Sequence, residues 1–202
     1  MKNLIDPSLV RVIRFVALAN FTYFFVEFAV AMHIGSVALF ADSVDFLEDA
    51  SVNFLILLAL GWSLKARAKV GMVLAALLLW PALATLWMAW HKFSTLAPPD
   101  PLWLSLTGLG ALAVNVTCAM MLTKFRNASG SLTKAAFLSA RNDAYANLGI
   151  IATGLITLVI HSGWPDLLVG LAIAAMNIDA AKEVWEASRK EKLEAEHAGC
   201  DH

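Results

Sequence analysis

Apolar residues fill long, nearly unbroken runs along the chain, separated by short clusters of charge and turn residues. A helix that crosses a bilayer needs about 20 mostly apolar residues. Six runs meet that length, at roughly residues 12–33, 36–62, 68–91, 101–123, 135–160 and 165–186. Six crossings use about 120 residues. The rest is scattered over short connections and one tail, so no folded soluble domain is expected. His33-Ile34-Gly35-Ser36 reads as a tight turn, and so does His161-Ser162-Gly163-Trp164-Pro165. The Pro98-Pro99-Asp100-Pro101 segment is a longer connection, and Asn127-Ala128-Ser129-Gly130-Ser131 a flexible one. Pro81 predicts a kink within the third run. The expected class is all-α, a bundle of six transmembrane helices over residues 1–186, followed by a charged tail over 187–202.

Composition narrows the reading. Hydrophobic residues make up 59% and charged residues 15%, against about 45–50% and about 25% in soluble domains. Mean hydropathy is +0.69. This balance argues against a water-soluble single core and against a disordered chain. The net charge of −1 gives no electrostatic footprint for nucleic acid. Cys118 and Cys200 do not make a disulfide framework, and Cys118 reads as a packed core residue. The first run carries Asn20 and Glu27 and has no small-residue cleavage site, so no removable leader is expected.

Orientation follows from Lys and Arg. Lys2, Arg11 and Arg14 precede the first run. Lys65, Arg67 and Lys69 separate the second from the third, and Lys124, Arg126 and Lys134 the fourth from the fifth. Lys182, Arg189, Lys190 and Lys192 close the sixth, whereas the other side holds only Lys92. Both termini are therefore expected in the cytoplasm, with the chain integral to a plasma membrane of the bacterial inner-membrane kind. Trp62, Trp90, Trp103, Trp164 and Trp185 fall near run ends, where indoles anchor at the lipid interface.

The chemistry lies in acids placed inside two of the runs. Asp42, Asp45, Asp49 and Asn53 recur at i, i+3, i+7 and i+11 and so share one helix face. In the fifth run Ser139, Asp143 and Asn147 recur at i, i+4 and i+8. A carboxylate at the bilayer centre costs about 2.5–3.5 kcal/mol on insertion scales, and like charges one turn apart also repel. Such a cluster needs protons, a basic partner or a metal cation. Arg14, Lys69 and Lys182 fall at run ends, so Arg141 is the only Lys or Arg well inside a run, with Glu48 as a candidate partner, and it cannot neutralise five or six acids. A divalent cation with exchangeable protons accounts for the cluster better.

With these residues in place, the chain resembles the cation diffusion facilitator family of metal/proton antiporters. The resemblance rests on the Gly35-Ser36 turn, the Ala41-Asp42 pair, and Asp45 and Asp49 at the two positions of a His-or-Asp-x-x-x-Asp motif. Glu27 ahead of that turn also fits. In the fifth run Asp143 matches the second ligand of a second such motif, and Asn147 falls at the position four residues later. The likeness spans roughly residues 10–186. It implies Asp45, Asp49 and Asp143 as metal ligands, with a transported divalent cation such as Zn2+, exchanged protons, surrounding lipid and a homodimer as partners.

Two departures from the family pattern bear on chemistry. Ser139 stands where the family has His or Asp, so the fourth ligand falls to Ser139, Asp42, Asn142, Asn147 or water. An all-oxygen set suits Mn, Fe or Co better than a His-containing one does. Most members also carry a cytoplasmic metal-binding domain, which 202 residues leave no room for, so a dimer is expected to be held by the membrane part.

The tail pairs Glu186 with Lys190 and Lys192 with Glu196 at i, i+4, which reads as a continued helix. Its end carries His197, Cys200 and His202, residue types that bind zinc or cobalt. Metal-dependent hydrolysis would call for a His-Glu-x-x-His or nucleophile motif; neither occurs, so no enzyme is expected. The alternative function is a membrane protein that binds or senses metal without moving it.

Overall fold

The computed structural model describes residues 7–59, 64–124 and 131–197, and for the end of α2 and stretches of α3, α5 and α6 only the course of the helix. Six helices follow in order: α1 (Pro7–Ile34), α2 (Val37–Ala59), α3 (Leu64–Thr95), α4 (Pro101–Thr123), α5 (Ser131–Ile160) and α6 (Trp164–His197). No strand occurs among the described residues. The 23 residues of α2, at 1.5 Å each, extend about 35 Å, enough for a hydrocarbon core of about 30 Å. The six predicted crossings all become helices. α3 passes through Pro81 without a break, and α6 runs on through the charged segment to His197.

Local chemistry sets the helix ends. The Asp100 carboxylate accepts from the Leu102 and Trp103 N–H groups at 2.9 and 3.0 Å, and Pro101 occupies the first helical position of α4. Pro is preorganised there and lacks an N–H that would otherwise go unpaired. Gly35, at φ +63°, makes the turn from α1 into α2, a backbone region that glycine enters without cost. The Ser36 hydroxyl accepts from Leu39 N–H at 3.1 Å at the start of α2.

The most extensive helix pairings are α1 with α2, α4 with α5, and α3 with α6, while α2 touches all five others. Polar groups concentrate inside. Asn20, Glu27, Asp42, Ser43, Asn115, Asn147, Asp166 and Asn177 are buried, whereas Phe25, Trp87, Trp90, Met120 and Val159 are exposed. Val159 is 80% exposed. This inverts the arrangement of a protein dissolved in water and fits a bundle whose solvent is lipid. By length and composition α1, α4 and residues 140–160 of α5 are apolar enough to cross a membrane. The acids Asp42, Asp45, Glu48 and Asp49 lower the apolar character of α2.

One end of the bundle is laced shut. Asp166, in the first turn of α6, accepts from the Ser36 hydroxyl at 2.5 Å and from the Val37 and Ala38 N–H groups at 2.8 and 3.3 Å. Lys92, near the end of α3, donates to Asp166 at 2.8 Å and to the Gly35 carbonyl at 2.6 Å. A carboxylate from one helix thus caps another, where N–H groups lack helical partners and the helix dipole favours negative charge. Gly163 N–H donates to the Leu96 carbonyl at 3.0 Å, joining two further connections at the same end. Lys92, expected as a loop charge on this side, is in fact buried.

At Gly170 α6 crosses α2 so closely that an added Cβ would stand 2.7 Å from the Val37 carbonyl carbon and 2.8 Å from Ala38 N. Every residue of α2 from Val37 to Val44 is buried, and partial exposure begins at Asp45. Cys118 packs among Val16, Leu122 and Ala140, as its sequence context predicts.

Candidate metal centre

The polar stripe of α2 faces the interior. Asp42 is fully buried and Asn53 nearly so, while Asp45 and Asp49, one turn apart, are half-buried. Across from them α5 places Asp143 at 9% exposure and Asn147 at zero. The Asp45 carboxylate feels the charges of Asp143, Asp42, Glu48 and Asp49. The two stripes predicted from spacing therefore face each other across α2 and α5, where Asn147 bonds Asp42 and Asp143 lies within electrostatic reach of Asp45. Asp49 also accepts a long hydrogen bond from Asn20 Nδ2 of α1, at 3.4 Å.

Asp42 belongs to a second, deeper set of groups. Its Oδ2 accepts from Asn147 Nδ2 at 2.5 Å, and Asn147 Oδ1 accepts from Asn115 Nδ2 of α4 at 3.2 Å. Glu27 of α1 lies against Asp42 with both oxygens sealed inside the bundle. Four helices thus converge on one buried polar core. Asn147 uses both ends of its amide there, one on Asp42 and one on Asn115, which removes it from the free donors around Asp45.

The other sequence candidates divide. Asn142 is exposed and accepts from Arg141 Nη2 at 3.3 Å, so it stands off the acidic stripe. Ser139 lies on α5 one turn before Asp143, and its side chain falls outside the described residues. His197 is the last residue of α6, with its side chain likewise outside, and Cys200 and His202 lie beyond the described residues. His33, His91 and His161 are exposed.

Three asparagines were not singled out as site residues by sequence: Asn20, Asn115 and Asn177, each 0–2% exposed. The signal was present, since an amide inside an apolar helix needs a partner as surely as an acid does. Spacing alone gave no sign of which helix each would meet. Asn177 of α6 donates through Nδ2 to the Ala41 carbonyl of α2 at 3.0 Å. Asn53 does the same to its own helix, at the Asp49 carbonyl and 2.8 Å.

Among the described residues no three His, Cys, Asp or Glu side chains are drawn into a closed metal cage. The acids stand as a divided set, Asp42 turned to Asn147 and Asp49 to Asn20, with Asp45 between them in sequence and within electrostatic reach of Asp143. Such a set can take up a dication when the carboxylates close around it, because opposite charge relieves the repulsion that otherwise holds them apart.

Comparison with known families gives a match to the cation efflux transmembrane domain over residues 13–190. A comparison with curated proteins gave no match.

Proposed function

The chain belongs to the cation efflux family of membrane metal-cation transporters, and we propose that it exports a divalent cation in exchange for protons by alternating access. Zinc is the first substrate on the family resemblance, with manganese, iron, cobalt and cadmium as the other candidates. The observation that carries this reading is the acidic stripe of α2 turned inward toward Asp143 and Asn147 of α5, with Asn147 bonded to Asp42. A lone intramembrane acid can be structural, but several acids facing one another need an exchangeable counter-ion.

The half-buried face of Asp45 and Asp49 is the entry, reached from the end of α2 nearer Ala59. On the positive-inside pattern of Lys and Arg that end faces the cytoplasm. A cation binds as the carboxylates give up their protons, because ligands must be deprotonated. Rocking of the helices then opens the other side. Protons arriving there compete for the same oxygens, the cation leaves, and the protonated carrier resets. Metal and protons exclude each other at shared ligands, and that exclusion is the coupling. Partner copies are expected to associate through the membrane helices.

The test is a panel of zinc, cadmium, cobalt, iron, manganese and nickel in proteoliposomes with an enclosed proton-sensitive dye. Wild type should drive proton movement with at least one metal, and Asp45→Ala, Asp49→Ala and Asp143→Ala should each lose it. Wild-type flux in all three variants would place the site elsewhere. Metal binding without flux in the wild type would favour the binding or sensing alternative.

A further inference from the structure

A dication held by protein needs about four donors or more. The α2 and α5 stripes offer three carboxylates, Asp45, Asp49 and Asp143. Of the neutral oxygens near them, Asn147 has both amide atoms engaged, and Asn142 is exposed beside Arg141. Asn177 differs from both. It is 2% exposed and its Oδ1 has no hydrogen-bond partner. Its amide cannot be turned round, because the Ala41 carbonyl accepts only from an N–H, so the nitrogen must face α2. That carbonyl is also the helical acceptor for the Asp45 N–H, four residues on. The unpartnered oxygen of Asn177 is therefore buried at the α2–α6 contact beside the helical turn that runs from Ala41 to Asp45. A buried amide oxygen without a donor is destabilising, and a bound cation removes that cost.

We infer that Asn177 of α6 is a further metal ligand, supplying a neutral amide oxygen to a divalent cation bound by Asp45, Asp49 and Asp143. This rests on the metal-exporting function proposed above. The resulting set is oxygen only, three carboxylates and one amide, and it favours a hard cation such as Mn2+ over the preference of a His-containing centre. It also brings a third helix to the ion. Asn53, with a similarly unpartnered oxygen, is bound to its own helix and adds no such link. α6 is already joined to the closed end of the bundle through Asp166, so one helix senses both the ion and that end.

The experiment titrates Mn2+ and Zn2+ into the purified full chain in detergent micelles, by calorimetry, with unfolding temperature recorded for every variant. Asn177→Ala should weaken Mn2+ binding by about tenfold or more. Asn177→Asp should bind Mn2+ at least as tightly as wild type, although it loses the N–H donated to Ala41. A purely structural amide predicts the opposite, with Asp as poor as Ala. Unchanged Mn2+ affinity in Asn177→Ala, or equally weak binding in both variants, overturns the assignment. If Asn177→Asp does not stay monodisperse, Asn177→His takes its place. It keeps an N–H for Ala41 and replaces oxygen by an imidazole nitrogen, so the Zn2+/Mn2+ preference should move toward Zn2+, and an unmoved preference overturns the assignment. Asp45→Ala is the reference in each series. Wild-type binding by Asp45→Ala would defeat the metal-centre reading itself, whereas loss in Asp45→Ala with no change in Asn177→Ala defeats only the α6 ligand.

Discussion

Lys92 Nζ and Asp166 Oδ2 lie 2.8 Å apart with both side chains buried, tying α3 to α6. The two partners are not equivalent. Asp166 also accepts from the Ser36 hydroxyl and two α2 N–H groups, while Lys92 has the Gly35 carbonyl as its other acceptor. Removing one partner of a buried pair costs about 3–5 kcal/mol, because the other charge is left uncompensated. Asp166→Ala should lose an amount in that range, since it strands Lys92 and uncaps α2 together. Lys92→Met should lose less, because the α2 helix end still neutralises Asp166. Unfolding midpoints in detergent check the order, and equal losses would contradict it.

Replacing an acid at the site should separate stability from transport. Asp45→Asn and Asp143→Asn each remove one acid from a set whose members act on one another electrostatically. The metal-free variants should unfold at the same temperature as wild type or higher, because repulsion is relieved. Metal-driven proton flux in proteoliposomes should be lost in both. A fall in unfolding temperature that accompanies the loss of flux would point to a structural role instead.

Shared ligands set the sign of the pH dependence. Every carboxylate that binds the cation must be free of its proton, so affinity falls as the solution becomes more acidic. The expected slope is about tenfold per pH unit for each proton displaced. Titration of Mn2+ or Zn2+ from about pH 7.5 down to about pH 4, through the ordinary carboxyl range, measures it. A flat profile would mean that metal and protons do not compete.

Two glycines should respond in opposite directions to the same change. A Cβ at Gly170 would meet the α2 backbone at 2.7–2.8 Å, whereas one at Gly149 meets only Val169 Cγ1 at 3.9 Å. Gly170→Ala must push α6 off α2 and should cost about 1–3 kcal/mol, as overpacking does. Gly149→Ala should gain about 0.5–1 kcal/mol from helix propensity. Thermal unfolding of the two variants side by side tests the close crossing.

The acids were the legible part of the sequence. Asp45, Asp49 and Asp143 stood out because a charge in a lipid-length helix is costly and because helical spacing puts each stripe on one face. The helix ends were legible for a similar reason: Asp100-Pro101 and Gly35-Ser36 carry their own capping chemistry. What could not be read was anything that depends on which helices touch. Lys92 and Asp166 are 74 residues apart, and as a loop lysine and a first-turn acid neither announces the other. Asn177 shows an amide in an apolar stretch, but its bond to Ala41 spans 136 residues. Asn147 read as a candidate ligand from its place after Asp143, and packing gave both its amide atoms to Asp42 and Asn115 instead.

The unbroken burial of α2 between the turn and Asp45 has an electrical consequence. Residues 37–44 rise about 12 Å along the helix axis, and that layer insulates the acids from the laced end. Were water to reach Asp45 from the Ala59 side, the transmembrane voltage would drop across this thin layer rather than across the full bilayer. A double charge crossing it does work of about 4.6 kcal/mol per 100 mV, and two protons returning would cancel that work while one would not.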